Sequence, residues 1–569
     1  MKFERFCEYL EKLEETGSKL KMASIIASMF KEAKPVETKA IAYMSLGSIG
    51  PEFEHLTTHM AERMIITSIA LASGVKREKV GKEYKKKGDV GLTAGALIKG
   101  GENQFRSYFS HKTPTLVQVY EGMRKLASIS GKDSQEKKQK MLASILIAAG
   151  RRGRKYAARL AAGTMRMGVG DMTLLDGLSE AYGISGEELE EAYYKRTDIG
   201  AVAEMAAKHG IMKIKKVGIS INYPVRSMLA QRVKKIEIIR KKMHGEMSVE
   251  EKYDGERIQA HKKGKTVKLF SRRLTDITNQ FPDVAGYVRK LGINSAILDG
   301  EAVAYDYKKG EYLKFQKLMQ RRRKYNVKEY AMRIPVRYMV FDILYDGKSL
   351  LNEKYSKRRK RLEKAVKKGR EISPAGRIVT KSIDKLQKFF EDCLDRGLEG
   401  VICKNQESVY QPGARKWSWI KWKGEYAPHL ADTFDLVVVG GFRGRGKRRG
   451  TYGALLCAVY NKKKDVFQTF TKVGTGFTDK ELGRLAKKLK PAESGKKPAR
   501  VESELKPDQW FRPSFILEVT GAGITNSSVH MAARKKGKGL ALRFPRFLRW
   551  RDEKKAEQAT TVSEIIKMK

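Results

Sequence analysis

The chain has 569 residues, enough for about three or four domains, and 41% of them are apolar, enough for ordinary folded cores. Lys and Arg number 117 against 65 Asp and Glu, a formal net charge of +52; such an excess points to a polyanion, nucleic acid first, or to a lysine-rich surface spread over every solvated face. The longest apolar runs, 64–75 and 141–149, are too short to cross about 30 Å of hydrocarbon, so a membrane protein is not expected.

The first ten residues mix Lys, Glu and Arg with aromatics and contain no secretory apolar segment. The four cysteines, Cys7, Cys393, Cys403 and Cys457, are nowhere two to four residues apart, which excludes a zinc knuckle or a CxxC redox pair and suits a reducing cytoplasm. Residues 1–210 read as helical, with Phe3, Phe6, Leu10 and Leu13 at the helical period and Pro35 and Pro51 as interruptions. Asp133-Ser-Gln-Glu136 suits the start of a helix running through 141–149. In 160–178, Gly163, Gly168, Gly170 and Gly177 break the pattern, so one helix is expected to end near Arg166 and another to begin near Asp171. The two glycines flanking Val169 allow either close backbone approach to a partner or a plain turn between helices.

Past Gly210 the texture changes to short β-like runs at 257–261, 267–271, 296–305, 337–344, 400–404 and 417–423, with a hairpin turn around Gly264. Helical stretches, 356–368 and 383–396, lie between them, which makes a mixed α+β domain of about 200 residues. A third region begins near 424–429. Strands are expected at 434–439, 455–460, 467–472 and 515–520, with a Gly/Arg-rich loop at 440–453 and one helix at Asp479–Leu489, which suits a small β-barrel.

The sharpest chemical signal is Glu250-Glu-Lys-Tyr-Asp-Gly-Glu-Arg257. In an extended segment Glu250, Lys252 and Asp254 share a side, and Gly255 permits a turn or close approach. An amine nucleophile needs a depressed pKa, which a neighbouring cation such as Arg257 or a bound metal supplies. Alone, K-x-D-G is a four-residue match in a lysine-rich chain. It is followed, in order, by Ser271-Arg272, Asp299-Gly-Glu301, Phe341-Asp342, Glu399-Gly-Val-Ile-Cys-Lys404 and Trp419-Ile-Lys-Trp-Lys423, with Arg415 upstream of the last. Glu301 and Glu399 are carboxylates of the kind that hold Mg²⁺ together with phosphate oxygens and water. Phe341 offers a stacking face for a base, or packs in the core of an apolar strand, or both. Lys421 and Lys423 share a strand face with Trp417 and Trp419 and suit phosphate charge. Glu399 and Lys404 have opposite parity, so one of them must sit at a strand end or bulge if both reach a common site.

With these motifs, residues 250–423 resemble the nucleotidyltransferase core of the covalent ligase and capping-enzyme superfamily. The resemblance implies that Lys252 takes the adenylate, and that Glu250, Arg257, Arg272, Glu301, Phe341, Arg415, Lys421 and Lys423 contact the nucleotide. Glu301 and Glu399 would hold the metal, Mg²⁺ or Mn²⁺, although Glu301 is also placed by the family at the ribose. RNA ligases and capping enzymes share this core, so the flanks decide. The helical region resembles the DNA-binding domain of replicative ATP-dependent DNA ligases of archaea and eukaryotes, with Met167-Gly-Val-Gly170 at its most distinctive turn. That turn, through Arg166, Gly168 and Gly170, and Arg272 from the core, would meet DNA. The segment 542–554, with Arg551 and Lys554, and the tail 557–561 resemble the end of the same family, whose OB-fold domain brings these cations to the leaving pyrophosphate.

The resemblance therefore implies an all-α DNA-binding domain (1–212), an α+β adenylation domain (213–426) and a β-barrel OB-fold domain (427–569), hinged within 427–433. It implies an enzyme that uses ATP to seal nicks in duplex DNA in replication, repair and recombination. ATP is expected because the NAD-dependent ligases carry a four-cysteine zinc site that this chain lacks. Gln104, Tyr108 and Phe109 lie where archaeal relatives carry a segment for a PCNA-type sliding clamp. A monomer is expected.

Overall fold

The computed structural model describes residues 1–99, 113–233, 235–313, 315–321, 327–423, 433–444, 451–521, 523–535 and 537–568. Gln104, Tyr108 and Phe109 lie outside the described residues, as does 427–432 of the expected hinge. The chain divides into two compact units, Met1–Tyr426 and Ala427–Lys569.

The first unit opens with helices, from Phe3–Glu15 to Ile199–Ile214. Phe3, Phe6, Leu10 and Leu13 are buried on one face of the first, as the 3.6-residue period requires. The side chains of Ser18 and Asp198 accept the free N–H groups at the starts of two others. The expected helix end near Arg166 comes earlier. Helix Arg151–Ala161 stops because Gly163 turns left-handed, at φ +66°, and the N–H groups of Gly163 and Thr164 fold back onto Leu160 and Arg159 carbonyls. Gly177, read as a break, instead lies inside helix Asp171–Tyr182, where a Cβ would stand 2.3 Å from Ile26 Cγ2. It is small so that two helices can pack, not so that one can end.

The rest of this unit is built on two sheets. Its strands are β1 (Leu229–Val233), β2 (Met247–Lys252), β3 (Glu256–Lys263), β4 (Thr266–Ser271), β5 (Ser295–Asp306), β6 (Glu311–Tyr312), β7 (Val336–Asp346), β8 (Ile372–Pro374), β9 (Arg377–Thr380), β10 (Gly400–Asn405) and β11 (Arg415–Lys423). One sheet runs β1-β11-β10-β2-β9, the other β4-β3-β5-β7-β8 with β6 paired to β5. β2 lies in the first sheet and β3 in the second, so the K-x-D-G turn carries the chain from one sheet to the other. Gly264, at φ +57°, makes the β3–β4 hairpin turn.

The second unit holds an eight-stranded sheet, mostly antiparallel, around strands Phe434–Arg443, Tyr452–Asn461 and Val466–Val473. Register shifts at Val438/Gly440, Phe442/Arg443 and Cys457/Ala458 bend these strands into a curled half-barrel. Its faces bury two separate apolar clusters, one including Phe434, Leu455 and Phe470, the other Val437, Leu456 and Phe467. Helix Asp479–Leu489 lies where the sequence places it and starts with a Thr478/Glu481 capping box.

Candidate active site

Lys252 is the last residue of β2, opposite Gly400 of β10. The K-x-D-G glycine is required sterically: a Cβ on Gly255 would stand 2.4 Å from the Ala302 carbonyl of β5. Gly400 has φ +134°, and a Cβ there would meet the Trp422 carbonyl at 2.3 Å. The first seats the crossing turn against β5 and the second seats the start of β10 against β11. The residue before β10 answers the parity question. Glu399 precedes β10, its N–H donates to the Lys252 carbonyl at 2.9 Å, and its carboxylate reaches Lys252 Nζ at 2.5 Å. Lys404 stays in register within the strand and is fully buried.

Beside Lys252 lies a cavity of about 830 Å³. Arg257, Arg272, Glu301, Phe341, Arg415 and Lys421 all line it, joined by Ile402, Trp419, Phe315, Leu229 and Ala230. Arg257 grips Asp299 through two nitrogens, at 3.0 and 2.7 Å, and its guanidinium lies 5.2 Å from the Phe341 ring centre. Glu301 sits across from Arg257 in the β3–β5 ladder. Desolvation pushes its carboxyl up to about 7, against the pull of Lys252 and Arg257. Desolvation, reinforced by the like charges of Lys252, Lys423, Arg415 and Arg272, lowers Lys421 to about 8. Ser271 ends β4, and its hydroxyl accepts the N–H groups of Arg273 and Thr275, a tight turn that leaves Arg272 exposed at the cavity.

Three expected contacts are placed differently. Glu250 does not line the cavity. It is buried, bound by Lys404 at 2.7 Å and by Tyr355 and Arg359. Lys423 turns to Glu399 at 2.8 Å rather than into the cavity. Arg257, expected beside Lys252, is instead paired with Asp299, and the charge on Lys252 Nζ is met by the Glu399 carboxylate. Burial opposes ionisation of Glu399, but Lys252 and Lys423 together hold it below the ordinary range.

At the helical turn, Arg166 has φ +60° and points inward, donating to the Gly88 carbonyl at 2.9 Å and to Asp89 at 3.1 Å. Gly168, at φ +75°, is exposed, and Gly170 precedes helix Asp171–Tyr182. In the second unit Arg551 and Lys554 both bind Asp435, at 3.0 and 2.6 Å. Trp419, placed by parity on the face of Lys421, is a wall residue. Ile402 was not singled out; parity could have found it too, since it lies two residues before Lys404 on one strand face.

A divalent ion fits the carboxylates present. Glu399, held ionised by Lys252 and Lys423 at 2.5 and 2.8 Å, offers hard anionic oxygens of the kind a divalent cation takes in place of ammonium groups. Among the described residues no three of His, Cys, Asp and Glu are grouped so as to hold a metal ion by themselves. Among them too, no helix is long and apolar enough to cross a membrane.

Comparison with known proteins extends over the whole chain. The family model for the ATP dependent DNA ligase domain matches residues 227–423, that for the DNA ligase N terminus 2–179, and that for the ATP dependent DNA ligase C terminal region 448–554. DNA ligase 2 of Thermofilum pendens is 42% identical over 577 residues, covering 99% of this chain and 96% of that protein. DNA ligase 1 of Methanosarcina acetivorans is 41% identical over 587 residues, covering 100% of this chain and 99% of that one. The solved structure of Pmar-Lig_PreS3, at 18% identity and a TM-score of 0.54, covers 96% of this chain and 99% of its own, and shares the fold.

Proposed function

The chain belongs to the family of ATP-dependent DNA ligases, and from that premise we propose that Lys252 is the nucleophile with which it seals nicks in duplex DNA. The observation that carries the assignment is the position of Lys252 Nζ at the cavity, held by Glu399 and surrounded by Arg257, Glu301, Phe341 and Lys421. Lys252, once its ammonium has given up a proton, attacks the α-phosphorus of ATP; a P–N bond forms, pyrophosphate leaves and the nitrogen sheds a second proton to solvent. The adenylate then passes to the 5′-phosphate at the nick, breaking the P–N bond and releasing the lysine. Finally the 3′-hydroxyl attacks that phosphate and AMP departs. The chain's own contribution is position and charge. Phe341 and Ile402 offer apolar faces to the base, Arg257, Arg272 and Arg415 bind ribose and phosphate oxygens, and Lys421 draws the α-phosphate to Lys252.

Glu301 and Glu399 are the residues that would hold Mg²⁺ or Mn²⁺. Bound there, the ion supplies positive charge to the phosphate oxygens. Arg551 and Lys554 of the second unit align pyrophosphate in the first transfer. The turn at Arg166, Gly168 and Gly170 meets the duplex with its backbone, while the Arg166 side chain braces it from behind. We further propose that the protein works as a monomer in the cytoplasm, with the 104–109 segment as the contact for a sliding clamp.

Incubation with α-labelled ATP and Mg²⁺, followed by denaturation and mass measurement, tests the central assignment. The wild type should carry one AMP and Lys252→Ala none. Label persisting on the alanine variant would overturn Lys252, and an unlabelled wild type would overturn the covalent mechanism.

A further inference from the structure

Residues 217–228 join the last helix of the helical region to β1, and side chains of β3 and of the segment before β11 hold their backbone. Asn222 N–H donates to His261 Nδ1 at 3.0 Å, and Val225 N–H donates to Gln259 Oε1 at 2.7 Å. Gln259 Nε2 returns a bond to the Val225 carbonyl at 3.1 Å. At the end of the segment, Met228 is held on both sides of its backbone. Its N–H donates to the Tyr410 hydroxyl at 2.9 Å, and its carbonyl accepts from Arg257 Nη1 at 3.0 Å. The next two residues, Leu229 and Ala230, are cavity wall.

Tyr410 is 2% exposed and outside the motifs that define the site. Its hydroxyl donates to Asp299 Oδ2 at 3.1 Å, the same oxygen that Arg257 Nη2 reaches at 2.7 Å. Its ring meets Trp419 edge-on, with centres 5.9 Å apart. One hydroxyl therefore uses both its donor and an acceptor position inside the protein, on two groups that bear on the cavity. Asp299 is fully buried, so no solvent can replace the missing donor if that hydroxyl is removed. Asp299 would keep its two bonds from Arg257 but lose the third that fixes its orientation, and the Met228 N–H would be left unpaired unless the Met228 peptide turned, which would pull its carbonyl from Arg257 Nη1.

We propose that Tyr410 is a positioning residue for nucleotide transfer: through Asp299 it fixes the Arg257 guanidinium at the cavity, and through Met228 it fixes the segment that supplies the cavity wall. The proposal rests on the reading of this cavity as the nucleotide site. Arg257 is in place before chemistry begins, so loosening it weakens ground-state and transition-state binding alike. A change of that kind raises KM and leaves kcat nearly unchanged.

The test is Tyr410→Phe in the full chain, which keeps the ring against Trp419 and removes only the hydroxyl. Covalent labelling by α-labelled ATP, measured in single turnovers, should show an apparent KM about five- to tenfold higher, with the rate at saturating ATP changed less than about twofold. The affinity of the pre-adenylated variant for nicked DNA should not change. In combination with Arg257→Lys, the Tyr410→Phe change should add less than it costs alone, because its arm through Asp299 acts on that guanidinium. An unchanged KM, full additivity with Arg257→Lys, or a loss at saturating ATP that tracks a lowered melting temperature would each overturn the proposal. An unlabelled wild type would instead overturn the nucleotide reading, and this proposal with it.

Discussion

Lys421 is the cation whose charge the cavity holds most weakly. Its ammonium is lowered to about 8, so the positive charge present at neutral pH is lost as pH rises through that value. Glu301 runs the other way. Raised to about 7, it is mostly neutral below that pH and becomes the carboxylate that a metal needs above it. The kcat/KM for covalent labelling reports groups of the free enzyme, so it should rise through about pH 7 and fall through about pH 8. In Lys421→Arg the cation stays charged, and the descending limb should move beyond pH 10, whatever the absolute rate. A limb that stays near 8 in the arginine variant would assign it to another group. At this scale the motif residues were legible because each is a rare combination at fixed spacing. Glu250 lies off the cavity wall for a physical reason: sharing a strand side with Lys252 says nothing about whether a buried lysine, Lys404, takes the carboxylate. Tyr410 was invisible because its importance lies in partners 111 and 182 residues away.

At the scale of elements, the turn after helix Arg151–Ala161 is shaped from behind by one carboxylate. Asp89 caps helix Val90–Leu97 by accepting Leu92 N–H at 2.9 Å, binds the buried Arg159 at 3.1 Å and binds Arg166 at 3.1 Å. Asp89→Ala removes a cap and leaves Arg159 with Glu14 as its remaining carboxylate partner. The combined loss should be about 2–4 kcal/mol, less than for a wholly stranded buried charge. Calorimetry should show the transition of the helical region lowered by about 5–10 °C. Losing a negative charge should by itself favour DNA. Affinity for a nick should nevertheless fall, because Arg166 keeps only the Gly88 carbonyl and holds the Gly168–Gly170 turn less firmly. A rise in affinity would show that this turn does not set binding. The helices were legible from period, and the longer strands from β-branched runs. β1 was not: Leu-Ala-Gln-Arg-Val has no alternation, and it is a strand only because it pairs in parallel with β11.

At the scale of the molecule, the charge is distributed against expectation. Residues 1–212 carry 34 Lys and Arg against 26 Asp and Glu, a surplus of only 8. The surplus is 27 over residues 213–426 and 17 over residues 427–569. The helical region also commits cations internally: Arg5 pairs with Glu8 and Glu32, Arg152 with Glu11, and Arg159 with Glu14 and Asp89. Most of the positive surplus available to attract phosphate therefore lies in residues 213–569. Counterion release then governs binding. Each phosphate neutralised contributes about −0.9 to the slope of log affinity against log salt, so six or more contacts give a slope steeper than about −5. Fluorescence anisotropy with a nicked duplex should show a loss of about a thousandfold or more between 50 and 200 mM salt. Charge-neutralising substitutions in the helical region should leave that slope nearly unchanged, and the same number in 213–426 should flatten it. A shallow slope, or one equally sensitive to both regions, would mean that the excess lysine solvates the surface rather than holding DNA.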